Sequence, residues 1–149
     1  LLMNMKELRN VHLAEHFLYL LNKYHFDCVA PDQDYLNSMC YGKIEYLDSC
    51  WDAMPNRNKP EIENPKIIHY NLFDKPWCYD DIQYQDYFWE YAKQSVYYDK
   101  IKAYKAAYTD KQKEDDHAHL LDLFRRAGTN ADTEVTFRKV LESGEKVRL

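Results

Sequence analysis

Apolar residues recur every three or four positions between Lys6 and His25: Leu8, Val11, Leu13, Phe17, Leu18, Leu20 and Leu21. That spacing predicts one amphipathic helix. Ahead of it, Leu1 to Met5 is apolar with no polar lead-in and reads as a strand that begins abruptly, as though the chain starts mid-protein. Pro31 breaks the pattern. Asp32 or Asp34 is placed to cap a short helix running through Met39, and Gly42 is placed to end it. Lys43–Asp48 alternates and reads as a short strand, whereas residues 49–64, with Pro55, Pro60 and several asparagines, read as loop. The run Ile67-Ile68 within Pro65–Tyr70 predicts a second, buried strand, followed by a loop from Asn71 to Tyr79. From Asp81 onward the pattern turns helical in four segments, residues 81–95, 96–108, 109–128 and 133–144. Thr109 with Gln112 forms a capping box, and Gly128 and Gly144 are helix stops. The expected organisation is therefore a mixed α/β portion over residues 1–80 and a helical extension over residues 81–149.

Composition narrows the classes. At 149 residues with 46% apolar content, the chain can bury a core, which argues against wholesale disorder. A net charge of -5 and a pI near 5.7 leave no basic stripe for nucleic acid, so none is expected as a partner. No apolar run approaches the roughly 18 residues of a spanning helix, and no signal-peptide pattern is present. Cys28, Cys40, Cys50 and Cys78 form no C-x-x-C pair and read as free thiols of a reducing cytosol. With only 3 glycines there is no glycine-rich phosphate loop. The 14 tyrosines suit cores and interfaces, or stacking on sugars.

Two stretches can carry chemistry. His69 ends the second predicted strand, and Lys75-Pro76-Trp77 follows after a short loop. Ligands of open α/β sheets sit at strand ends. There an imidazole suits a borderline divalent metal and an ammonium suits phosphate oxygens. The plainer alternative is a histidine bonded to backbone and a solvated lysine. In Pro31–Asn37, Asp32 and Asp34 flank Gln33 at the start of a helix. They can orient hydroxyls in a cleft, or simply stabilise the helix by about 1 kcal/mol. Asp115, Asp116, His117 and His119 diverge around a helix and read as a solvated face. No G-x-S-x-G elbow or Cys–His pair is evident.

The stretches LLMNMKELR, PDQDYLN, GKIEYLDSCWDAMP, IIHYNLFDKPW and YFWEYAKQS, in this order, are similar to glycosyltransferase family 8 from Leu1 to about Tyr98. The helical tail resembles the extension of bacterial members. The resemblance implies the C-terminal half of a GT-A (nucleotide-diphospho-sugar transferase) fold followed by an α-helical extension. It also implies a retaining, manganese-assisted transfer from UDP-glucose or UDP-galactose to a glycan, lipid-linked or protein acceptor. By matching position, His69 is the metal-binding histidine, and Lys75 grips the donor diphosphate. Asp32 and Gln33 face the donor sugar and the reaction centre as the catalytic pair, and Asp34 is sugar-facing. Two departures stand out. Leu72 occupies the position of the glycine in the family's H-x-x-G-x-x-K-P-W. The family's metal-binding D-x-D and uridine-binding strands lie upstream of Leu1. The expectation is thus a portion of an enzyme that alone transfers no sugar and binds manganese poorly. An exposed sheet edge would pair with a second copy or with the N-terminal half. The location is cytoplasmic, with peripheral contact at the inner face of the membrane through the tail. The competing expectation is a non-catalytic interaction domain whose tyrosine-rich tail binds a partner protein. Retention of Asp32, Gln33, His69 and Lys75 together favours the enzyme.

Overall fold

The structure is a computed structural model describing residues 1–149. Seven helices make up its regular structure: α1 (Met5–Asn10), α2 (Leu13–Tyr24), α3 (Pro31–Met39), α4 (Gln85–Ala92), α5 (Tyr98–Ala106), α6 (Asp110–Asn130) and α7 (Phe137–Glu142), with a 3₁₀ turn at Ser49–Asp52. The chain divides into two compact units. One comprises Leu1–Glu45 and Leu121–Leu149, the other Tyr46–Leu120.

The expected α/β half of a GT-A fold is not present, because the structure contains no strand and no sheet. Of the second predicted strand only a single parallel bridge forms, Ala53 with Ile68. The Ala53 amide donates to the Ile67 carbonyl and the His69 amide to the Ala53 carbonyl, both at 2.9 Å. Pairing stops there for physical reasons. Pro55, Pro60 and Pro65 remove ladder donors, and no third segment offers partners, without which an isolated pair of short extended segments is not a stable sheet. Ile67, expected to be buried, is 52% exposed. Ile44–Asp48 is exposed and unpaired, and Leu1–Asn4 is exposed coil. With no strand there is no open sheet edge, so the pairing expected through one loses its basis.

In the first unit, the single helix expected over residues 6–25 is two. Asn4 caps α1 by accepting from the Glu7 amide at 3.2 Å, and α1 ends at Asn10. His12 takes a left-handed conformation (φ 54°) and α2 restarts beyond it. Asn10, Val11 and His12 are all mediocre helix formers, so the break falls where continuation gains least. Leu20, Phe26, Tyr35, Met39, Val140 and Val147 form the core. Its centre is aromatic: Phe137 stacks on Phe26 at 3.9 Å and meets Tyr35 edge-on at 4.9 Å. Gly128 does not stop its helix, which continues to Asn130. The last turn is anchored beyond the glycine, since Arg126 Nη2 reaches Asp27 Oδ1 at 3.4 Å and Asn130 Nδ2 donates to the Asp27 carbonyl at 3.1 Å. Such contacts override the local preference of a glycine. Gly144, at φ 88°, does follow the end of α7.

In the second unit, Ala53, Pro76, Cys78, Ile82, Tyr84 and Ala92 are buried. The capping box before α6 forms, with the Thr109 amide donating to Gln112 Oε1 at 2.9 Å and the Gln112 amide to Thr109 Oγ1 at 3.3 Å. Asp116 is not on a solvated face. Half-buried, its Oδ2 accepts from Tyr79 at 2.7 Å and from Tyr108 at 2.6 Å. Burial, and then the Asp116 carboxylate, push the Tyr79 phenol above its ordinary range; for Tyr108 the carboxylate leads and burial follows. Lys105 donates to the carbonyls of Pro76 and Tyr79 at 2.9 and 2.8 Å, tying α5 to the loop that precedes it. No helix of the chain is long and apolar enough to cross a membrane.

Candidate functional site

The Ala53–Ile68 bridge positions the first candidate. Asp52 precedes one bridge partner and His69 follows the other, so their side chains meet: His69 Nδ1 lies 3.1 Å from Asp52 Oδ1. Both are solvent-accessible, with side chains 51% and 57% exposed. At that exposure the pair adds little to stability, about 0–1 kcal/mol. Its effect is orientation. With Nδ1–H donating to the carboxylate, the neutral ring carries its lone pair on Nε2. Asp52 also lines a cavity of about 350 Å³ with Asn56, Lys59, Ile62, Asn71 and Tyr84 among its walls. Those walls are braced by hydrogen bonds from the Ile62 amide to Tyr84 Oη (2.7 Å) and from the Tyr84 amide to Glu61 Oε1 (3.0 Å).

The loop after His69 is held by its own backbone. The Asn71 amide donates to the His69 carbonyl at 3.0 Å, and the Cys78 and Tyr79 amides both donate to the Lys75 carbonyl at 2.9 Å. Leu72, within this loop, has φ 42°, a left-handed conformation natural to glycine, and is 53% exposed. Lys75 is not a free cation on a solvated loop. Its ammonium donates to the Tyr70 carbonyl and stands 5.5 Å from the centroid of the Trp77 ring.

Asp32, Gln33 and Asp34 belong to the other unit, on the first turn of α3. Asp32 and Gln33 are exposed. The Asp34 carboxylate turns back and accepts from the amides of Val29 (3.0 Å) and Ala30 (3.1 Å), while the cap position itself, Ala30, has no side-chain cap. Asp34 thus satisfies amides that a helix start leaves without partners.

A manganese centre can be tested against these residues. His69 and Asp52 supply one nitrogen and one oxygen of suitable type, but no group of three His, Cys, Asp or Glu side chains able to hold a metal forms anywhere in the chain. The residues present do not fit a metal centre, and no step is derived through one. Asp52 and Lys59 went unrecognised in the sequence. Asp52 lies 17 positions from its histidine, and nothing in local spacing reports a contact made by one bridge.

A family model described as Glycosyl transferase family 8 matches residues 1–81, more than half of the chain. No curated protein and no solved structure matches it.

Proposed function

Because the chain belongs to glycosyl transferase family 8, we propose that it is a portion of a glycosyltransferase that moves a hexose, with retention, from UDP-glucose or UDP-galactose to an acceptor, and that it transfers no sugar alone. The observation that carries the site assignment is the His69–Asp52 pair, whose carboxylate partner also lines a cavity. The pair orients an imidazole, and Asn56, Lys59 and Asn71 line the same cavity as Asp52. A nucleoside diphosphate needs cations and amide donors for its phosphates and base. Charge builds on the leaving UDP as the glycosidic bond breaks, and fixed donors at that point lower the barrier more than they tighten the ground state. Lys75, held at the Tyr70 carbonyl and beside the Trp77 ring, supplies a fixed ammonium. The family resemblance alone assigns Asp32 and Gln33 to the donor sugar; Gln33 is a weak nucleophile and suits positioning.

The test is hydrolysis of UDP-glucose and of UDP-galactose by the full-length protein, read as release of UDP with and without manganese, for wild type and His69→Ala. Turnover that depends on His69 is expected. Equal turnover in the two proteins would remove His69 from the mechanism.

A further inference from the structure

A second cavity, of about 480 Å³, opens beside the Lys75–Trp77 turn and is lined by Trp77, Phe88, Tyr97, Lys100, Ile101 and Tyr104. We propose that it binds pyranose rings of a saccharide. Resting on the transferase reading, the proposal names the acceptor side of that reaction as a glycan.

The cavity follows from helical spacing. Lys100, Ile101 and Tyr104 fall on one face of α5, Tyr97 immediately precedes that helix, and Phe88 comes from α4. Trp77 packs on Phe88 with ring centroids 4.9 Å apart. Two of the lining rings are presented to solvent: Tyr97 is 59% and Tyr104 51% exposed. Neither phenol oxygen is hydrogen-bonded within the chain, and Lys100 has no carboxylate partner; its ammonium lies 5.9 Å from the Tyr97 centroid.

This combination selects one chemistry. A pyranose offers an apolar C–H face and a girdle of hydroxyls, so it needs flat aromatic surface together with polar groups at the edge. An alkyl chain would need aliphatic walls, and only Ile101 is aliphatic. The volume lies within the range of about 300–1,000 Å³ usual for small-ligand sites. Position adds a further reason. The Trp77 ring that forms part of this cavity also carries the Lys75 ammonium, so a saccharide bound here lies next to the residue assigned to the donor diphosphate.

The experiment is a ¹H–¹⁵N NMR titration of the whole chain with maltose, lactose and the methyl glycosides of glucose and galactose, following the Trp77 indole N–H, assigned with Trp77→Phe. A saturable shift with at least one saccharide is expected, weakened about tenfold or more in Tyr97→Ala/Tyr104→Ala. Tyr97→Phe and Tyr104→Phe, which remove only the hydroxyls, give intermediate losses and guard against misfolding of the double variant. No shift with any of these saccharides, or a shift that persists in the double variant, overturns the proposal. UDP is titrated into a parallel sample. A response to UDP without one to saccharide rejects the cavity and leaves the transferase reading standing. Saccharide binding without any response to UDP upholds the cavity, and the transferase reading is then decided separately by UDP-sugar turnover of the full-length protein with and without His69.

Discussion

The imidazole of His69 is held at Nδ1, 3.1 Å from the Asp52 carboxylate, by a contact that one backbone bridge creates. If the ring acts in turnover, its loss and the loss of its orientation should have different sizes. His69→Ala is expected to lower UDP-sugar turnover by the full-length protein about 100-fold or more. Asp52→Ala, which frees the ring to change tautomer and rotate, should cost about tenfold. Initial rates of UDP release check both, and equal losses would show that Asp52 does more than orient the ring.

Asp116 serves two phenols at once. Asp116→Ala removes both hydrogen bonds to a charged acceptor and should cost about 1.5–3 kcal/mol in urea unfolding, with Asp116→Asn costing less because its oxygen still accepts. The pH dependence has a definite sign. Both phenols are raised above the ordinary 10.0 in the folded state, so the stability they contribute is fully present below pH 10. Above it the unfolded chain releases protons that the folded chain retains. The urea midpoint should therefore fall between pH 9 and pH 11.5, and fall less in Tyr79→Phe/Tyr108→Phe. Parallel pH profiles for the two proteins would count against the assignment.

Leu72 holds a backbone angle that side chains with a Cβ avoid. The left-handed region costs such a residue about 1–2 kcal/mol, and glycine returns about 0.5–1 kcal/mol of that through the entropy of the unfolded chain. Leu72→Gly should leave the melting temperature unchanged or raise it by a few degrees, on the scale of about 2–4 °C per kcal/mol for a chain of this size. A clear drop by calorimetry would mean that the exposed leucine side chain contributes more packing than its surroundings suggest.

Asp32 and Asp34 should separate cleanly. Asp34→Ala strands the Val29 and Ala30 amides and should destabilise the chain by about 1–2 kcal/mol. Asp32→Ala, at an exposed position without such contacts, should stay within about 0.5 kcal/mol of wild type. If Asp32 acts on the donor sugar, its variant loses turnover with the melting temperature intact. Circular-dichroism melts paired with rates decide this.

The helical half of the molecule was legible because its signals are local. Thr109 and Gln112 are three residues apart and find each other, and the apolar spacing of Leu13, Phe17 and Leu20 declares the buried face of α2. The strands were misread for a reason inherent in short apolar runs. Ile67-Ile68 looks the same whether a neighbour pairs with it at many positions or at one, and partners lie outside the window that periodicity samples. Gly128 looks like a stop in the sequence because Asp27, which anchors Arg126 and Asn130 on either side of it, is about a hundred residues away. Asp116 was placed on a solvated face for the same reason, since Tyr79 is 37 positions distant. His69 and Lys75 were visible as chemistry-bearing residues, but Asp52 could be found only in three dimensions.

The ammonium of Lys75, seated on the Tyr70 carbonyl and beside the Trp77 ring, has already surrendered most of the rotamer freedom that a lysine loses on binding, a loss of order 2 kcal/mol. An anion arriving there meets a charge fixed in place before the encounter. The entropy cost of holding that charge therefore falls on folding rather than on binding.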